Sequence, residues 1–92
     1  MNKCLKIIVH IKPQKRVIHA VVQQHARDLG LEGLVQPVSA DKLKIIACGK
    51  KEQVDLFVDM LHRESAQEDI QDIEIEPFLK DKDYRGVFRV IE

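Results

Sequence analysis

The sequence predicts an α+β domain in which two helices cover one face of an antiparallel sheet of four to five strands. Three observations predict it. The apolar period switches from strand-like to helix-like and back, twice along the chain. Four residues, Ser39-Ala40-Asp41-Lys42, join the second and third strand-like runs, so these form an antiparallel hairpin. The 92 residues fit one core, and residues 1–92 are read as a single domain.

Each element has its own signal. Leu5 to Ile11 reads LKIIVHI, apolar and β-branched at most positions, as a central strand requires. From about Val17 the period lengthens. Ile18, Val22, Ala26 and Leu29, with Val21 and His25 at the margin, mark one buried helical face, and Gly30 ends the helix as a left-handed stop. Strands follow over Gly33 to Val38 and Leu43 to Cys48. Gly49 opens the next change of period. Val54, Phe57, Val58 and Leu61 then stripe a second helix from Lys51 to about His62. In Ile70 to Glu76, Ile73 and Ile75 alternate with acids, as in a half-exposed strand, and Pro77 stops it or marks an edge. Residues 80–86, KDKDYRG, read as a polar loop before a short last strand, VFRVI. The order β-α-β-β-α-β plus one short strand is that of the split βαβ, or ferredoxin-like, sandwich.

Charge and composition narrow the function classes. The chain has 15 Lys/Arg and 15 Asp/Glu, a formal net charge of zero, which argues against binding nucleic acid by phosphate neutralisation. Residues 1–51 hold ten bases and three acids, whereas residues 52–92 hold five and twelve. Two faces of opposite sign are expected, whose attraction adds slightly to stability or favours weak self-association. No apolar run reaches membrane length and no leader pattern is visible, so the reading is a cytoplasmic protein with no membrane association. Cys4 and Cys48 are too few and too far apart for a CxxC site and are expected as free thiols at strand ends. His10, His19, His25 and His62 show no ligand spacing, so neither metal nor cofactor is expected. His25 is read as a boundary residue, and Phe57 and Phe88 as core.

The stretch from 11 to 33 holds the candidate site. A basic loop, Lys12-Pro13-Gln14-Lys15-Arg16, leads into the first helix without a Ser, Thr, Asp or Asn cap. Lys15 and Arg16 lie at the positive end of the helix dipole. Uncapped N–H donors beside two cations are completed by water or by an anion. Lys12, Gln14, Lys15, Arg16, Val17, Ile18 and His19 are the candidate anion-binding residues, against the plain alternative of a solvated loop.

In these residues the chain resembles the acylphosphatase family over nearly its whole length. The family's helix ends in A-x-x-L-G-L-x-G-x-V-x-N, matched by Ala26, Leu29, Gly30, Leu31, Gly33 and Val35. Gly49, Val54, Phe57, Leu61 and the Tyr84-Arg85-Gly86-x-Phe88 run extend the match. The resemblance implies hydrolysis of acyl phosphates to carboxylate and phosphate. It also sets the first and third strands side by side, which can bring Cys4 and Cys48 together and leaves open whether they are close enough to pair, with a disulfide expected only after oxidation.

The catalytic positions depart from the pattern. The family's phosphate-gripping arginine, seven residues before the helix alanine, is His19 here, and its water-orienting asparagine is Pro37. Of the loop's V-Q-G-V only Gln14 remains, and Ile18 replaces an aromatic. Histidine offers fewer donors than an arginine fork and carries only part of a charge near pH 7. Proline has neither side-chain amide nor backbone N–H. Losing one well-placed electrostatic donor costs about two to three decades in rate. Three readings follow. The first is a catalytically degenerate relative whose loop still binds phosphate or a carboxylate. The second is a slow acylphosphatase with His19 in the arginine's place. The third is a non-enzymatic module whose acidic face, from Asp69 to Glu76, meets a basic protein partner.

Overall fold

Strand-forming residues fill both faces of the first element. β1 (Asn2–Ile11) buries Ile7, Val9 and Ile11 on one side and turns Lys6, Ile8 and His10 to the other. The computed structural model describes residues 2–11, 18–65, 70–78 and 88–91, with the backbone alone at 18, 19, 64 and 65. The polar loop at 80–86, with Tyr84 and Arg85, and the acid Asp69 lie outside the described residues.

The helix α1 (Ile18–Asp28) stops as its glycine requires. Gly30 has φ +70°, its N–H donates to the Arg27 carbonyl at 3.0 Å, and the Leu31 N–H donates to the Ala26 carbonyl at 2.9 Å. This doubled hydrogen bond satisfies the last helical carbonyls and turns the chain into β2 (Glu32–Ser39). Ala26 and Leu31 are both buried, which adds the apolar contact that accompanies such stops.

β3 (Lys42–Lys50), α2 (Lys51–Ser65), β4 (Ile70–Pro77) and β5 (Phe88–Val90) complete the chain. The sheet order is β4-β1-β3-β2-β5. The four long strands pair antiparallel, and the short final strand lies parallel to β2, so the five-stranded sheet is mixed. The last strand is parallel because it enters beside Gly33 and leaves beside Val35, its pairing continued by the Ile91 N–H to the Val35 carbonyl at 2.8 Å.

Both helices pack on one face. Val22 and Ala26 from α1 and Val54, Phe57 and Leu61 from α2 meet Ile7, Val9, Val35, Leu43 and Ile45 from the sheet. Phe57 and Phe88 touch with ring centroids 6.2 Å apart, tilted by 58°, in the edge-to-face range. His25 is half-buried at the rim, as its marginal position predicts, while Met60, outside the expected stripe, is buried. A second, smaller apolar cluster, Leu34, Ile46 and Cys48 with Cys4, Phe78 and Ile91, lies on the face away from the helices.

That second cluster corrects the expectation of free thiols. Cys4 and Cys48 are joined by a disulfide, 44 residues apart in sequence. The expectation of free thiols rested on cellular compartment, but pairing is a matter of register. Antiparallel β1 and β3 set Cys4 directly opposite Cys48 on the same face, with Cα atoms 4.1 Å apart.

The acidic second half of the chain meets the basic first half inside the domain. Lys6 pairs with Glu76 at 3.5 Å, and Lys3 pairs with Asp55 on α2, which Lys51 also reaches at 3.1 Å. Hydrogen bonds from Lys3, and then Lys51, hold the Asp55 carboxyl below its ordinary value. A folded-state value below the unfolded one adds stability above the ordinary carboxyl value of 3.8, lost as pH falls through the folded value. We therefore expect Asp55→Asn to lower Tm at neutral pH and low salt, and the gap to wild type to close on acidification. A gap that persists unchanged below the carboxyl range would mean that Asp55 acts through packing rather than charge. Because the pair is exposed, the effect is small and screened by salt.

Candidate functional site

The two ends of the sheet differ in chemistry. At one end β1 finishes at Ile11, the β2–β3 hairpin turns at Ala40 and Asp41, and β4 begins at Ile70. The helix α1 starts at this end, since its other end leads through Gly30 and Leu31 to Glu32, which pairs with Cys48 far from the hairpin turn. The loop between Ile11 and Ile18 thus leaves and returns at the hairpin end.

Of the sequence-predicted anion-binding residues, Lys12, Gln14, Lys15, Arg16 and Val17 lie outside the described residues. Ile18 and His19 form the start of α1, and their side chains likewise lie outside the described set. The first turn of this helix carries no acidic residue, so nothing on it offsets the positive end of the dipole.

Pro37 is described. It is exposed on β2, in register with Leu43, just before the ladder shifts towards Ser39. Val35 accepts its hydrogen bond on the side of β5, and strand alternation turns the backbone of residue 37 the same way. The last described bond between these strands is Ile91 N–H to the Val35 carbonyl, and the next donor would be residue 37, so proline there ends the ladder rather than interrupting it. The same alternation puts the Pro37 ring on the helix-covered face, beyond the buried Val35 and towards the end where α1 begins.

Two pairs at this end went unnoticed in the sequence. The Ile11 N–H donates to the Asp41 carbonyl at 2.8 Å, which fixes where β1 ends and its loop departs. The Ser39 hydroxyl donates to the Asp41 carboxylate at 2.7 Å and holds that carboxyl below its ordinary value. The Ser-x-Asp spacing of this turn was the available signal. His10 Nε2 lies 2.6 Å from Glu74 Oε2 on the face away from the helices. No local sequence signal could pair residues 64 positions apart.

Two surface clefts lie away from this end. One, of about 380 Å³, is lined by Lys3, Cys4, Glu32, Cys48, Gly49 and Phe78 at the opposite end of the sheet, together with Asn2. The other, of about 190 Å³, lies along the open face between β1 and β4, at Lys6, Ile8, Glu74, Ile75 and Glu76. Among the described residues, no three His, Cys, Asp or Glu side chains are grouped so as to hold a metal ion. No described helix is long and apolar enough to cross a membrane.

Known proteins share this architecture. The sequence model of the family described as Acylphosphatase matches residues 6–90. The fold is similar to that of an acylphosphatase from Coxiella burnetii, with TM-score 0.80 and 23% identity over 98% of this chain and 93% of that one. It is similar also to an acylphosphatase from Bacillus subtilis, with TM-score 0.78 and 21% identity over all of both chains. HypF of T. kodakarensis contains a similar region, with TM-score 0.80 and 18% identity, covering 12% of that longer chain. No curated protein sequence matches significantly.

Proposed function

Since the chain belongs to the acylphosphatase family, we propose that it is a catalytically degenerate member, whose basic loop at residues 12–19 binds phosphate or a carboxylate in the cytoplasm. The family reaction needs a cation fork on the phosphoryl oxygens and a water aimed at phosphorus, with the carboxylate leaving. Pro37 carries the reading. At the position that resembles the family's asparagine it supplies neither an amide side chain nor an N–H, so a water there finds neither the amide nor a backbone donor to orient it. The loop keeps its attraction for anions by a different route. Lys12, Lys15 and Arg16 bring charge, and the helix start brings backbone N–H groups with no acid beside them.

The test separates binding from turnover. With inorganic phosphate added, the backbone amide resonances of residues 14–19 are expected to shift in a saturable way, while acyl-phosphate hydrolysis stays at the spontaneous rate. Resonances that stay still at high phosphate would remove the anion site. They would leave the partner-binding reading, which reversal of Glu74 and Glu76 would probe. Turnover above the blank that disappears in His19→Ala would instead make the protein a slow acylphosphatase with His19 on the phosphate.

A further inference from the structure

We propose that the Cys4–Cys48 disulfide is a site of thiol–disulfide exchange, at which a small-molecule thiol attacks Cys4 Sγ from the surface cleft. Three features of the sheet argue for this chemistry and for that sulfur.

The bond is reachable. It lies on the face that the helices leave uncovered, in the wall of the cleft of about 380 Å³. A space of that size admits a small thiol such as a cysteine-containing tripeptide. Within the pair Cys48 is the buried partner, at 2% exposure, whereas Cys4 is only partly buried.

Register sets what stands behind each sulfur. A thiolate approaches a disulfide along the S–S axis, from behind the sulfur that it strikes, and expels the other. The bond crosses from β1 to β3, so attack on Cys4 comes from the β4 side. There β4 ends at Pro77, opposite Leu5, and Phe78 follows as the direct neighbour of Cys4, its N–H donating to the Cys4 carbonyl at 3.1 Å and its half-buried side chain packed against the same cluster. Attack on Cys48 comes from the β2 side, where Glu32 is its direct cross-strand neighbour on the same face. Each sulfur has one cross-strand neighbour behind it, and the difference in exposure makes Cys4 the one attacked.

The step balances. The thiolate forms a mixed disulfide with Cys4, and the Cys4–Cys48 bond breaks with its electron pair leaving on Cys48, which takes up a proton. A second thiolate attacks the mixed disulfide, releases the oxidised small-molecule disulfide and leaves Cys4 as a thiol. Two small thiols are oxidised and one protein disulfide is reduced. In a compartment held reducing by small thiols the pair stands open, and in an oxidising one it closes.

The change is local. The bond lies at the opposite end of β1 from Ile11, and the ladder on β3 continues from Leu5↔Ala47 to His10↔Lys42 without it. Exchange is therefore expected to alter resistance to unfolding and to leave the hairpin end of the sheet in place.

The native full chain would be incubated with reduced glutathione, quenched with acid, and mapped by mass spectrometry. The expected product carries glutathione on Cys4 and a thiol at Cys48, at about tenfold or more over the reverse adduct. A majority adduct on Cys48 would overturn the assignment of the attacked sulfur. A bond reduced only after denaturant is added, or only by a protein dithiol, would overturn the exchange site itself. As a second reading, oxidised glutathione is expected to modify Cys4 in Cys48→Ser and to spare Cys48 in Cys4→Ser. Equal modification would count against the proposal, and the wild-type mapping stands if either variant fails to fold.

Discussion

Gly33→Ala is expected to destabilise the protein by about 3–5 kcal/mol, as a backbone strain and a steric overlap that neither neighbour can relieve. Gly33 has φ +141°, a region that L side chains rarely adopt. A Cβ there would stand 1.8 Å from the Ile46 carbonyl oxygen and 2.7 Å from its carbon. Both are backbone atoms of β3, which is held on its far side by the ladder to β1, so they cannot move aside without disturbing two ladders. Gly30 provides the contrast. Its φ is +70°, but nothing lies within 4 Å of an added Cβ, so Gly30→Ala meets only the left-handed penalty of about 1–2 kcal/mol. Urea unfolding of the two variants checks this. Equal costs would mean that β2 does not approach β3 as closely as described.

This pair of glycines also shows how far the sequence can be read. Gly30 declares itself: a left-handed stop after a helical period is a local event, and the doubled hydrogen bonds from Gly30 and Leu31 are its structural form. Gly33 looks the same in sequence, three residues later, yet its reason is tertiary. It is glycine because another strand's carbonyl occupies the space of its side chain. Helix stripes and strand alternation were legible for the same local reason as Gly30, which is why Val22, Ala26, Val54, Phe57 and Leu61 are all buried where the period puts them. The parallel pairing of β5 was not legible, because three residues carry no signal of direction.

The site divides along the same line. The acid-free start to α1 could be read from residue types alone, and the proposed departure at position 37 rests on residue types as well. Partners far apart in sequence could not be read from the residues themselves, and only the family resemblance brought Cys4 towards Cys48. The disulfide joining Cys4 to Cys48 and the contact of His10 with Glu74 depend on the registers of β1 with β3 and with β4, and a single sequence does not encode register in any local run. Pro37 is an intermediate case. A proline in a strand signals the end of a ladder, and the structure shows which one: the described pairing with the last strand stops after Ile91 meets Val35.

That placement makes the repair of position 37 informative. The double variant His19→Arg, Pro37→Asn is expected to raise acyl-phosphate hydrolysis by about two to three decades, the usual worth of one well-placed electrostatic donor. Pro37 is exposed and outside any ladder hydrogen bond, so asparagine costs only the lost rigidity of the proline ring, about 0.4–1 kcal/mol, and should not unfold the strand. Asparagine restores an amide on the helix-covered face, at the end of the sheet where α1 begins. Arginine restores a fork of donors on the first turn of that helix, where no acid competes for it. If both side chains are all that is missing, each single variant gains little and the pair gains much more, because water and phosphate must be held together. A double variant that keeps its fold and its phosphate-induced amide shifts but remains at the spontaneous rate would locate the defect in the loop itself. Under the proposed reading Lys15 takes the place of a family glycine, and a side chain there would disfavour the positive φ or the close approach that a phosphate cradle needs. Adding Lys15→Gly to the inert double variant is then the step expected to recover turnover. Continued inactivity of that triple variant would leave binding as the only function of the loop.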